Sequence, residues 1–400
     1  MNAYTVKNTV SSDKVIVADD MLLTKELPTA AGSKMLDGYV SLFEAEALTR
    51  ATAAGYTLGG KADVGEFSID LLGETSKNGA LIVDGVLKNA AAEIVKSGDA
   101  VAALTLDVNG SVRRAAAQNG LVSIKPTYGT VSRFGTIPVV CSGETVSILA
   151  KGVDACRDLL DAVAGHDDKD GTSHSDAVCD AMKKDATHAK LRRVAVIASM
   201  EKGVDGDVKE KLALATAALK ENGAEVVTVD GNTVSLARAA WNVLMCAELC
   251  NNVSRYDGVK YGYRAENFSG IDELYTNSRT EAFGDLLKTA ILFGSETLST
   301  ENYMKVYDKC QRIRRVIAEE FAKLFAEFDA VMMPACSALA YKEEAVSENR
   351  HLAFEENFYT APASITGLPA VVAGGVQLVG KAFSEQTLLD AARILTKEER

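Results

Sequence analysis

Short apolar runs and longer amphipathic stretches alternate along this chain. Residues 14–18 (KVIVA) make an apolar run of strand length, and residues 41–54 carry the spacing of a helix that Gly55 can close. Residues 88–96 predict a second helix, stopped by Gly98. Residues 101–106 predict a strand that runs into the turn Asp107-Val108-Asn109-Gly110, and a new helix begins near Ser111. Strand, tight turn, serine and helix, in that order, expose a serine side chain at a helix N-terminus.

Further on, residues 193–198, 207–221 and 224–229 predict a βαβ unit, with Asn222-Gly223 closing its helix. Long helices are expected over 235–254 and 301–328, and a strand over 330–334. A closing strand pair is expected over 369–373 and 375–379, then a terminal helix over 384–395. This alternation predicts an α/β fold with a mostly parallel sheet covered on both faces. There is no internal repeat or low-complexity linker, and the polar residues 166–174 read as a loop, so residues 1–400 are expected to form a single domain.

Composition narrows the function classes. A chain of 400 residues at 47% hydrophobic can bury a large core. No apolar run reaches the roughly 20 residues that cross a bilayer, and the first residues lack the basic-then-apolar pattern of a secretory signal. A cytoplasmic protein without membrane contact is expected. The net charge of −12 repels phosphate backbones, so no direct nucleic-acid binding is expected. Of the seven cysteines, Cys246 and Cys250 stand one helical turn apart with no histidine near them. Reduced core thiols are the expectation, with no metal and no cofactor.

Several longer strings carry a resemblance. Residues 120–129 (GLVSIKPTYG), 131–135 (VSRFG), 164–170 (AGHDDKD), 255–264 (RYDGVKYGYR), 279–284 (RTEAFG), 366–370 (TGLPA) and 377–380 (QLVG) are similar, in this order, to strings of the amidase signature family. Within it they most resemble the A subunits of tRNA-dependent amidotransferases, colinearly from about Val15 onward. The resemblance implies an α/β/α sandwich around a large mixed, mostly parallel sheet. It also implies a Ser-Ser-Lys triad, in which Lys is the ultimate base, a middle Ser relays the proton and a second Ser attacks the amide. Such relays exist because a serine hydroxyl is a weak nucleophile until a neighbour takes its proton.

Carried onto this chain, the resemblance assigns the nucleophile position to Ser111 and the oxyanion turn to Asp107, Val108, Asn109 and Gly110. Val108 and Asn109 stand where smaller residues are usual. The Lys position falls on Ala18 and the relay position on Leu87, within residues 84–89 (DGVLKN), which have lost the family's glycines. On the substrate side, residues 287–291 (LKTAI) lack the expected Arg, and an amine-binding Asp maps to Asn357, which cannot supply the same ion pair. Tyr256, Tyr261, Tyr263 and Arg264 are expected near the former pocket, and Glu66-Phe67 in a packing role. The family's N-terminal helical extension is expected to be missing.

Substitute bases are few. Lys88 adjoins Leu87 and could swing toward Ser111. Asp19 and Asp20 are expected to point elsewhere by strand alternation, and His166 and His174 are loop residues. Ser111 has a purely structural alternative as a helix N-cap, worth about 1 kcal/mol. Two functions therefore stand open. One is a catalytically impaired amidase-fold protein that binds or regulates, with amidotransferase B/C-type subunits or a small amide or amino-acid ligand as partner. The other is an active amidase that uses Ser111 on glutamine or another amide.

Overall fold

The predicted apolar runs pair edge to edge into one large sheet in the computed structural model, which describes residues 3–184 and 191–397. The strands are β1 (Tyr4–Lys7), β2 (Val15–Asp19), β3 (Thr57–Ala62), β4 (Ile82–Val83), β5 (Val86–Leu87), β6 (Ala102–Asp107), β7 (Val122–Lys125), β8 (Thr145–Ala150), β9 (Arg193–Ile197), β10 (Glu225–Val229), β11 (Ala330–Pro334), β12 (Ala370–Ala373) and β13 (Val376–Gly380). Eleven of them form the order β1-β3-β2-β6-β8-β7-β12-β13-β11-β9-β10, while β4 and β5 make a separate hairpin. The sheet is mixed. Parallel pairing holds in two blocks, β3-β2-β6 and β11-β9-β10, and the strands between them alternate in direction.

Helices cover both faces: α1 (Glu46–Ala53), α2 (Ala90–Ser97), α3 (Ser111–Asn119), α4 (Val153–Val163), α5 (Asp176–Lys184), α6 (Gly206–Glu221), α7 (Ala237–Val253), α8 (Ile271–Ala282), α9 (Asp285–Thr297), α10 (Asp308–Glu327), α11 (Glu343–Glu348), α12 (Leu352–Thr366) and α13 (Glu385–Thr396). Strand alternation sorts the core into two layers. Val17, Ala103 and Leu149 pack with Ala91 and Val95 of α2 and Val112 and Ala115 of α3. Ile16, Ala18, Leu104 and Ile148 face the other way, into the layer that holds α4 and α13. This is the α/β/α sandwich expected from the sequence.

Two helices start later than their periodicity predicts. The segment before α1 is extended at Ala45, whose N–H is taken by the Leu23 carbonyl (2.9 Å), so the helix opens only at Glu46. A π-turn over Tyr303–Tyr307 precedes α10. The end signals hold: Asn89 caps α2 through its side chain, and Gly98 closes it in the left-handed conformation at φ 88°.

Candidate active site

The site is assembled at the C-terminal end of β6. The chain leaves the strand at Asp107, turns, and enters α3 at Ser111. Gly110 takes φ 81°, and a Cβ there would stand 2.4 Å from the Thr360 side chain, so the turn requires glycine. Asp107 accepts the Gly110 N–H (3.0 Å) and two hydrogen bonds from Arg113, from Nε at 2.8 Å and Nη2 at 3.1 Å. Burial alone would push the Asp107 carboxyl up, but the adjoining Arg113 guanidinium outweighs it and holds the carboxyl below its usual range. Arg113 also donates to the Thr360 carbonyl (2.7 Å), Gln377 Oε1 (2.9 Å) and Ser364 Oγ (2.7 Å), which ties the turn to α12 and β13. Asn109 donates to the Ile69 carbonyl (2.8 Å) and accepts the Trp241 indole N–H (3.4 Å), and Val108 is fully buried.

Ser111 is 8% exposed. It is the first residue inside α3 and not its cap, and none of the described residues hydrogen-bonds its Oγ. It lines a cavity of about 10 Å³, at the limit for holding one water. Three carboxylates share those walls: Asp19, Asp63 and Asp70, beside Ser68, Asn89 and Thr105. Asp19 accepts the backbone N–H groups of Leu106 (2.7 Å) and Met21 (3.1 Å), and burial pushes its carboxyl up to about 7. Asp70 accepts the Thr75 N–H (2.9 Å) and hydroxyl (2.8 Å), and burial with Glu74 nearby drives it well above the carboxylate range. Asp63 accepts the Ser76 hydroxyl at 2.8 Å and is likewise raised by burial.

The residues expected from the sequence are only partly brought together. Ala18 lies in the opposite core layer from Ser111. Alternation along β2 places Val17 and Asp19 on the serine's side, so the expectation that Asp19 points elsewhere is overturned. Asp20 turns away instead and meets the buried Lys61, whose Nζ is 3.3 Å from its carboxylate and donates to the Leu22 carbonyl (2.7 Å) and Thr29 Oγ1 (2.5 Å). Leu87 sits in a β-hairpin, turned by Asp84 and Gly85 at φ 52° and 72°, and is fully buried in the layer that contains Leu71, Leu72 and Ala91. An Asp-Gly pair flanked by apolar residues is the hairpin signal that was open to reading there. Lys88 lines a neighbouring small cavity with Asp63, Leu72 and Gly73, not the one at Ser111.

Neither histidine approaches the serine: His166 Nε2 is 3.1 Å from Asp168, and His174 Nε2 is 2.9 Å from the Tyr128 carbonyl. Tyr256, Tyr261, Arg264 and Asn357 do not line the serine cavity. Tyr256 packs on Phe67 with ring centroids 5.5 Å apart, Tyr261 and Arg264 are exposed, and Asn357 is buried and donates to Asn242 Oδ1 at 2.6 Å. Glu66 does more than pack. It accepts Ser33 Oγ (2.7 Å) and the Gly284 N–H (2.8 Å) just ahead of α9, and burial pushes it up to about 7. Asp63 and Asp70 reach the serine through long-range folding alone, and no local pattern marks them. Among the described residues no group of His, Cys, Asp and Glu could hold a metal ion, and Cys246 is a buried thiol pushed up to about 12 by burial.

A strand, a glycine turn and a serine-led helix inside an α/β/α sandwich define a serine-hydrolase type of scaffold. Residues 90–389 match the Amidase family, and the chain belongs to that family. It is 34% identical over 402 residues to the A subunit of the glutamyl-tRNA(Gln) amidotransferase of Streptococcus pneumoniae strain 70585, covering 96% of this chain and 82% of that protein. The protein of the same name from Acinetobacter baumannii is 35% identical over 390 residues, covering 92% and 79%. Among solved structures, the A subunit of the Thermotoga maritima glutamyl-tRNA(Gln) amidotransferase superposes with a TM-score of 0.81 at 25% identity, covering 99% of this chain and 87% of that one. The K. lactis urea amidolyase shares the fold, with a TM-score of 0.81 at 23% identity over 96% of this chain and 23% of its own. Among the described residues no helix is long and apolar enough to cross a membrane.

Proposed function

We propose that this chain is an amidase-fold protein whose serine centre is catalytically impaired, and that it acts by binding or regulation. The carrying observation is the cavity at Ser111. At about 10 Å³ it admits one water and no amide substrate, and no lysine lines it. Loss of an activating partner in serine hydrolases typically costs roughly 10⁴ to 10⁶ in rate. The positions proposed for the family's Lys and relay Ser, Ala18 and Leu87, are both apolar and fully buried. The proposed setting is a cytoplasmic complex with amidotransferase B- and C-type subunits, by analogy with relatives whose names mark them as A subunits.

An ammonia-release assay with glutamine, asparagine and simple amides tests the first part. Background-level release is expected; turnover that vanishes in Ser111→Ala would overturn impairment. Co-purification with B- and C-type subunits tests the second part, and absence of association counts against it.

A second reading rests on one specific observation. Asp19 shares the serine's cavity, and its carboxyl is pushed up to about 7, where a carboxylate accepts a proton at neutral pH. An amidase that pairs Ser111 with Asp19 would lose its activity in Asp19→Asn.

A further inference from the structure

Helix α9 packs on α7 through one face. Leu287, Ala290, Gly294 and Thr297 are its buried residues, and a Cβ at Gly294 would stand 2.0 Å from the Cys246 carbonyl oxygen, so the rotation of α9 is fixed. The 3.6-residue period then turns Leu292 straight outward, where it is 71% exposed, with Phe293 exposed beside it. Asn302 donates to the Glu296 carboxylate (2.6 Å) and carbonyl (3.3 Å), which holds the π-turn against the end of α9 and adds the exposed Tyr303 and Met304. Single exposed apolar side chains are ordinary on a folded protein, but four gathered on one face mark an interaction surface. None of these residues lines the cavity at Ser111.

The charges on this face select its partner. Lys288 and Glu296 stand one helical turn to either side of Leu292, on the same outward stripe. Lys288 makes no hydrogen bond or ion pair among the described residues, and the Glu296 carboxylate keeps one oxygen free of Asn302. A stripe that runs positive, apolar, negative is complementary to its own reverse. We propose that α9 pairs antiparallel with α9 of a second copy of this chain, about a two-fold axis at Leu292. The two leucines then meet, and Lys288 of each copy faces Glu296 of the other. Phe293, Tyr303 and Met304, side-chain types enriched in interfaces, extend the apolar contact. Reversed helices also set the positive N-terminus of one beside the negative C-terminus of the other. A partner of uniform charge would leave either Lys288 or Glu296 opposed by its like.

Sedimentation velocity of the full chain between about 1 and about 100 µM tests it, and a dimer is expected. Leu292→Asp buries two carboxylates at the axis and should weaken the dimer by at least about a hundred-fold. Leu214→Asp, at an exposed leucine of α6, should leave it unchanged. Lys288→Glu and Glu296→Lys should each weaken it roughly ten-fold by setting like charges opposite each other, and the two exchanges together should return it to within about three-fold of the parent. None of these four positions is buried, so the variants should fold, which circular dichroism checks. A monomer throughout the range, a dimer indifferent to Leu292→Asp, or a double exchange no tighter than the single ones would each overturn the proposal. None of these outcomes bears on whether Ser111 turns over amides.

Discussion

Arg113 grips both carboxylate oxygens of Asp107, Nε to Oδ2 at 2.8 Å and Nη2 to Oδ1 at 3.1 Å, with both side chains shut away from water. The pair locks the start of α3 to the end of β6. Through Thr360, Ser364 and Gln377 it extends to α12 and β13. Ser111 is held in place by this framework, and the framework asks nothing of the serine's hydroxyl. A scaffold of this kind can persist without the chemistry.

Removal of Arg113 should be costly. Arg113→Met leaves Asp107 buried without its cation, and the expected loss is about 3–5 kcal/mol in urea unfolding. Adding Asp107→Asn should recover part of it, because the stranded charge is then gone. A loss below about 1 kcal/mol would show that the pair does not anchor α3.

Ser111→Ala should be nearly silent for stability. Gly110 occupies the cap position and the serine hydroxyl has no partner among the described residues, so a change within about 0.5 kcal/mol is expected. A helix cap would lose about 1 kcal/mol. Thermal unfolding of the two proteins decides between these values.

Under the proposed impairment, placing Lys and Ser at the two positions proposed for the family's triad should not produce hydrolysis. Ala18→Lys would place an ammonium in the apolar layer facing away from Ser111, and Leu87→Ser would open a void beside Leu71 and Leu72. Each change should cost a few kcal/mol, and the double variant should release no ammonia from glutamine. Measurable turnover would mean that the layers rearrange to admit substrate.

Stability should pass through a trough near neutral pH. Burial raises Asp19 and Glu66 to about 7. Between about 4, where unfolded carboxyls titrate, and about 7 the folded chain holds more protons, so these groups make stability fall as pH rises. Burial, then the nearby Arg113, lowers Lys125 to about 7. From about 7 to about 10.4 the unfolded chain holds more protons there, so stability rises with pH. Urea midpoints across this range should show both limbs, with Glu66→Gln flattening the acidic one and Lys125→Met the alkaline one. Depressed Asp107 contributes the opposite slope only at lower pH, through the usual carboxylate range.

Much of the scaffold was legible in local pattern. Apolar runs mark β2, β6, β9, β10, β11, β12 and β13 but not β1, β3, β7 or β8, Asn89 and Gly98 mark the ends of α2, and the turn before Ser111 stands out by its residues alone. The start of α1 differs from its periodicity because a carbonyl from Leu23 claims the Ala45 N–H, a contact that periodicity does not encode. The hairpin at Leu87 is legible in Asp84-Gly85.

The sequence alone determined the family, part of the element order and the serine at the head of α3, since each depends on neighbouring residues and short periods. The tertiary structure decided what surrounds that serine. Asp19 ends β2, whereas Asp63 and Asp70 lie in the connection that follows β3, and the pairing of β2 with β3 and β6 brings them to one cavity of about 10 Å³ at Ser111. A one-residue difference along β2 sends Ala18 to one layer and Asp19 to the other, because successive side chains in a strand point to opposite faces.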